Sequence, residues 1–145
     1  MSESQNELTV LKNELRARAH AARRDQPHKE TVSRAICRRF AQLIEYRAAT
    51  TVMCYVHVRD EVQTYRFLEA TLGRGKQIVI PYCAGDDLKL FLLEDINELA
   101  PGCFGILEPE KRLRSRQSKH VEAEQLDLVM VPGVAFDASG GRLGH

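Results

Sequence analysis

Aromatic residues are scarce. Tryptophan is absent from the 145 residues, and no aromatics are interleaved with the basic residues of the second predicted helix. That removes the stacking platform on which single-stranded nucleic acid is usually held. Net charge is also missing, at +1 overall, so no global field points to nucleic acid or a membrane surface. The balance is uneven, however, with ten Lys/Arg against six Asp/Glu between Met1 and Arg47. The four cysteines, Cys37, Cys54, Cys83 and Cys103, form no C-x-x-C pair and no Cys/His cluster at zinc spacing. Cys54 and Cys83 sit in apolar runs and are expected as buried thiols in a reducing, cytoplasmic compartment. No apolar run approaches the ~20 residues of a membrane span. The opening MSESQNELTV has no apolar h-region, so no secretory signal is expected. Neither a P-loop nor a G-x-G-x-x-G fingerprint occurs.

Helical and extended patterns alternate along the chain. Leu8, Leu11, Leu15, Ala19 and Ala22 recur at helical spacing, which predicts a helix over 5–24 with one apolar stripe. Lys12 and Arg16, four apart, place both cationic heads beside that stripe. A solvated face and an anion clamp are both compatible with that. Pro27 to Tyr46 is predicted as a second helix with Val32, Ile36, Phe40, Leu43 and Ile44 toward the core. Thr50–Val56 and Lys76–Pro81 are β-branched, nearly continuous apolar runs, as expected of strands buried on both faces. A helix over Thr64–Leu72 between them implies a right-handed parallel crossover. Leu88–Leu93 is expected as a hairpin partner or edge strand, and Leu126–Val131 as the last strand. The run KRLRSRQSKH is expected as a solvated connection. The whole predicts one α/β domain, 1–145, with a mainly parallel sheet flanked by helices.

Two stretches carry chemistry. HVRDEVQT follows the carboxyl end of the first strand, where ligands bind in open α/β sheets. Glu61 in this loop is a candidate contact or, equally, a carboxylate at the start of the next helix. The second stretch is VPGVAFDASGGRLGH. Gly140, Gly141 and Gly144 permit close backbone approach, their N–H groups could form an anion nest, and Arg142 adds a forked donor suited to phosphate. A glycine-rich hairpin turn is the alternative.

These residues carry a resemblance. The chain resembles the 5-formyltetrahydrofolate cyclo-ligase family in four ordered pieces. They are K-x-x-x-R at Lys12–Arg16, D-E-x-x-T at Asp60–Thr64, F-G-I-x-E-P at Phe104–Pro109, and D-L-x-x-x-P-G-x-x-F-D-x-x-G-x-R-L-G over Asp127–Gly144. The last is the specific one. The resemblance implies a three-layer fold of the NagB/RpiA/CoA-transferase-like kind, and ATP, Mg²⁺ and 5-formyltetrahydrofolate as ligands. It implies no nucleic-acid or membrane partner, and a monomer for the complete family fold. It implies an ATP site from Lys12, Asn13, Glu14, Leu15 and Arg16 with Arg142, Leu143, Gly144 and His145. It places Val56 and Glu61 on the folate. No catalytic side chain and no metal ligand is assigned within the chain. The family pattern runs on after R-L-G as x-G-x-G-Y-Y-D. The resemblance therefore implies a member lacking its C-terminal part, with impaired turnover, whose alternative role is folate binding or self-association.

Overall fold

The apolar runs assemble into a mixed sheet with mainly parallel pairing, flanked by helices. The computed structural model describes residues 3–102 and 105–145; Cys103 and Phe104, which opens the F-G-I-x-E-P motif, lie outside them. The chain starts with α1 (Glu3–Asp25), α2 (Lys29–Gln42) and α3 (Ile44–Ala48). Next come β1 (Thr51–Met53), α4 (Tyr65–Thr71), β2 (Gln77–Ala84) and β3 (Asp87–Leu93). After these follow a small hairpin of β4 (Leu99–Pro101) and β5 (Leu107–Pro109), then β6 (Leu128–Val129), and a second hairpin of β7 (Ala135–Phe136) and β8 (Arg142–Leu143). The main sheet runs β3-β2-β1-β6. β1 is parallel to both neighbours, with Val52 opposite Ile78 and Leu128. β3 returns antiparallel along β2 as the hairpin edge strand, turning through Gly85 at φ 67, a conformation glycine adopts without steric cost.

The two-residue period of the strands decides the core. Val52, Cys54, Ile78, Ile80, Phe91 and Leu93 share one face and pack with Tyr46 of α3 and Leu68 of α4. Each such side chain contributes roughly 1.5–3 kcal/mol when fully buried. The rings of Phe40, Tyr46 and Phe67 close this layer with centroids 5.1–5.9 Å apart. Asp127 fastens the start of β6 to β1, its Oδ2 accepting the Thr50 and Thr51 amides at 2.8 and 2.9 Å.

Several expectations are corrected. The second helix is not continuous to Tyr46: it breaks at Leu43, whose backbone is extended at ψ 141. Val32, Ile36, Leu43 and Ile44 are exposed, and the inward face carries Ser33, Cys37 and Phe40 on α2 and Tyr46 on α3 instead. Leu8, Leu11 and Leu15 on α1 are exposed as well. Cys54 is buried, but Cys83 is exposed, because it alternates with Tyr82 on the far end of β2. The run KRLRSRQSKH is not merely solvated. Leu113 and Lys119 are buried, and Lys119 Nζ donates to Glu94 at 2.6 Å and to Glu98. It also lies 5.4 Å from the Phe91 ring centre. Last, β6 pairs over two residues, shorter than the run Leu126–Val131. No helix among the described residues is long and apolar enough to cross a membrane.

Candidate functional site

The loop from His57 to Thr64 leaves the carboxyl end of β1 and is fastened from three sides. Thr64, fully buried, donates to the Tyr55 carbonyl at 2.7 Å and accepts the His57 amide at 3.1 Å. His57 answers: its Nδ1 accepts the amides of Thr64 at 3.0 Å and Tyr65 at 3.4 Å. The neutral ring therefore carries its proton on Nε2. From α2, Ser33 Oγ accepts the Gln63 amide at 2.9 Å, and Lys29 pairs with Asp60. That contact holds the Asp60 carboxyl below its usual range, Arg24 and His20 adding to it. The Tyr55 hydroxyl donates to the Val62 carbonyl at 3.2 Å.

Glu61 is set in this frame with its side chain mostly covered. Its Oε2 accepts the Val58 amide at 2.9 Å, and Oε1 lies 3.2 Å from His145 Nε2. The alternative of a helix-start carboxylate is overturned, because the imidazole of His57 takes that position at the start of α4. Burial pushes the His57 pKa down, opposed by the Glu61 charge. Burial pushes the Tyr55 hydroxyl up, with Glu61 adding to it and Arg23 working against it.

The glycine-rich stretch is a hairpin whose two ends are tied to α1. Arg16 Nε donates to the Gly144 carbonyl at 2.9 Å, while its Nη1 donates to Asn13 Oδ1 at 3.0 Å. Seven residues on, on the same helix face, Arg23 Nη2 donates to the Gly133 carbonyl. Gly133 is buried, and a Cβ there would stand 2.6 Å from Phe136 Cζ. Between β7 and β8 the expected anion nest is already filled. Asp137 Oδ1 accepts the amides of Ser139 at 2.8 Å and Gly141 at 2.7 Å. The hairpin-turn reading thus holds for Asp137–Gly141, with Gly140 at φ 88. Arg142 Nη1 donates to the Pro132 carbonyl at 2.8 Å.

Two cavities meet at this junction. A cleft of about 890 Å³ opens between the ends of α1 and α2 and the His57–Thr64 loop, with His20, Arg34, His57, Arg59 and Gly105 among its lining. Behind it lies a smaller pocket of about 150 Å³, lined by Cys37, Phe40, Tyr55, Met130 and Phe136. Among the described residues, Arg23 and Glu61 are the two that line both.

The expected residues are therefore partly brought together. Arg16 reaches Gly144, and His145 reaches Glu61, so α1, the β7–β8 hairpin and the His57–Thr64 loop converge. Leu143 is half-buried and pairs with Ala135. Lys12, Asn13, Glu14 and Leu15 are exposed on α1 and line neither cavity. Val56 packs against the core and also lines neither cavity, which departs from its expected substrate contact. Sequence reasoning missed Arg23 and His57. The signal for Arg23 was its position two turns after Arg16, and for His57 its place at the strand end before D-E-x-x-T. Among the described residues no three His, Cys, Asp or Glu side chains converge to hold a metal ion.

Comparison with known proteins bears on this arrangement. The sequence pattern described as the 5-formyltetrahydrofolate cyclo-ligase family matches residues 4–145. A probable 5-formyltetrahydrofolate cyclo-ligase of Schizosaccharomyces pombe is 29% identical over 143 residues, covering 95% of this chain and 69% of that protein. One of Caenorhabditis elegans is 32% identical over 114 residues, covering 73% and 54%. The solved structure of Aquifex aeolicus 5,10-methenyltetrahydrofolate synthetase superposes with a TM-score of 0.78 at 29% identity, covering 93% and 67%. The chain thus spans between 54% and 69% of the length of these three relatives.

Proposed function

The chain belongs to the 5-formyltetrahydrofolate cyclo-ligase family, and from that premise we propose that its site serves the ATP-dependent closure of 5-formyltetrahydrofolate to 5,10-methenyltetrahydrofolate. The observation that carries the reading is Glu61. It is a largely covered carboxylate, preset by the Val58 amide, at the meeting point of a wide cleft and an apolar pocket. A pterin offers N–H donors beside a flat apolar ring. Glu61 supplies the acceptors, and Phe40, Tyr55, Met130 and Phe136 supply the apolar wall.

The reaction needs alignment and charge neutralisation more than acid–base chemistry. The formyl oxygen attacks the γ-phosphorus and ADP leaves. N10 then attacks the activated formyl carbon, the C–O bond to phosphate breaks, and N10 loses its proton. Arg16 holds the end of the closing hairpin through Gly144 and keeps further guanidinium donors for a phosphate. Arg142 and Lys12 extend that cationic side, Lys12 with no hydrogen bond or ion pair to any described residue. His57 and Thr64 keep the loop rigid, so Glu61 is in place before the ligand arrives.

The test is formation of the methenyl product from 5-formyltetrahydrofolate, ATP and Mg²⁺, followed by its near-ultraviolet absorbance. ATP-dependent product that disappears in Glu61→Gln supports the reaction. Folate binding without any ATP-dependent product would cut the proposal back to a folate-binding protein.

A further inference from the structure

Arg23 is a half-buried cation without an ion pair to any described carboxylate. One of its five N–H donors is spent on the Gly133 carbonyl, and a guanidinium keeps the others in a fixed fork. It shares with Glu61 the position lining both cavities. The two present opposite chemistry at one spot: Glu61 accepts and Arg23 donates. A ligand bridging them must offer N–H donors beside an oxygen acceptor. Glu61 is itself engaged by the Val58 amide and His145, so Arg23 is not simply its counter-ion. An Arg kept there for packing alone would be expected to spend its charge on a neighbouring carboxylate.

We propose that Arg23 is the specificity-determining residue for the N5-formyl group, its guanidinium donating to the formyl oxygen while Glu61 holds the pterin. The proposal rests on the folate reading of the Glu61 site. A formyl oxygen has two lone pairs. Accepting from Arg23 occupies one and fixes the rotation of the formyl group. The other is left for attack on phosphorus, toward the hairpin end that Arg16 holds. Tetrahydrofolate, which lacks the formyl oxygen, gains nothing from Arg23.

The experiment titrates 5-formyltetrahydrofolate and tetrahydrofolate into the wild-type chain, Arg23→Gln, Arg23→Lys and Glu61→Gln, with thermal melting to show that each is folded. The wild type is expected to prefer the formyl compound by about tenfold, the scale of one charge-assisted hydrogen bond. Arg23→Gln is expected to bind both folates equally, with tetrahydrofolate affinity unchanged, and Arg23→Lys to keep part of the preference. Equal weakening for both folates in the Arg23 variants, or an undiminished preference, overturns the assignment. It would leave Arg23 as a latch on Gly133. If the wild type binds neither folate, the reading of the Glu61 site itself fails and this inference falls with it. Loss of both folates in Glu61→Gln with formyl preference retained in Arg23→Gln separates the two: that reading stands and the role of Arg23 does not.

Discussion

Replacing Thr64 by valine preserves shape and removes one hydroxyl, at a side chain with no exposure to water. Two hydrogen bonds go with it, the 2.7 Å bond to the Tyr55 carbonyl and the 3.1 Å bond from the His57 amide. Both backbone groups lie where the strand end enters the loop, and neither has another hydrogen-bond partner among the described residues to fall back on. Leaving a buried polar group unsatisfied costs about 1–3 kcal/mol. Two such losses, less about 1 kcal/mol for the added methyl, give a net destabilisation of roughly 1–5 kcal/mol. With a urea slope of about 1.5 kcal/mol/M the midpoint falls by roughly 0.7–3 M. Urea unfolding followed by circular dichroism is the assay, since the chain has no tryptophan to report. Thr64→Ser is the control: it keeps both bonds and loses a methyl, worth about 1 kcal/mol. A shift below about 0.3 M for Thr64→Val, or a larger loss in Thr64→Ser, would refute the view that this hydroxyl locks the His57–Thr64 loop.

Acidification is expected to loosen the same loop. The folded pKa of His57 is depressed, so its contribution to stability is full above the unfolded value near 6.5 and is lost as pH falls through the lower folded value. The urea midpoint should drop over that acidic range, and drop less in His57→Asn, whose amide oxygen still accepts without titrating. Lys119→Met should destabilise by about 2–4 kcal/mol, because Glu98, itself mostly covered, is left without its cation; the effect reads out as a lowered melting temperature. Gly140→Ala forces a Cβ into φ 88 and should cost about 1 kcal/mol in the same melt.

Much of the sheet was legible because its central strands are short and apolar on both faces. TTVMCYV and QIVIPYC announce β1 and β2, and the AGDD turn announces the return of β3. The family resemblance grouped Arg16 with R-L-G, and in the structure Arg16 meets that stretch through the Gly144 carbonyl. Misses follow where local pattern is outweighed by a non-local partner. Lys119 reads as solvated until Glu94 and Glu98, more than twenty residues earlier, enclose it. Composition suggests an anion nest around Gly140, but Asp137, three residues before, takes the amides first. Local pattern left Glu61 open between a ligand contact and a helix-start acid, because no local rule places an imidazole at the start of α4, whereas His57, seven residues before Thr64, reaches forward to do so. The break at Leu43 carries no proline or glycine to mark it.

The central claim is that Glu61, preset by its own loop, receives the pterin of 5-formyltetrahydrofolate. Calorimetric titration of 5-formyltetrahydrofolate into the wild-type chain and Glu61→Gln tests it most directly. The account predicts one-site binding by the wild type, weakened at least about tenfold by the substitution, with the melting temperature little changed. Equal affinity in the two proteins, or no binding by a folded wild type, would contradict it.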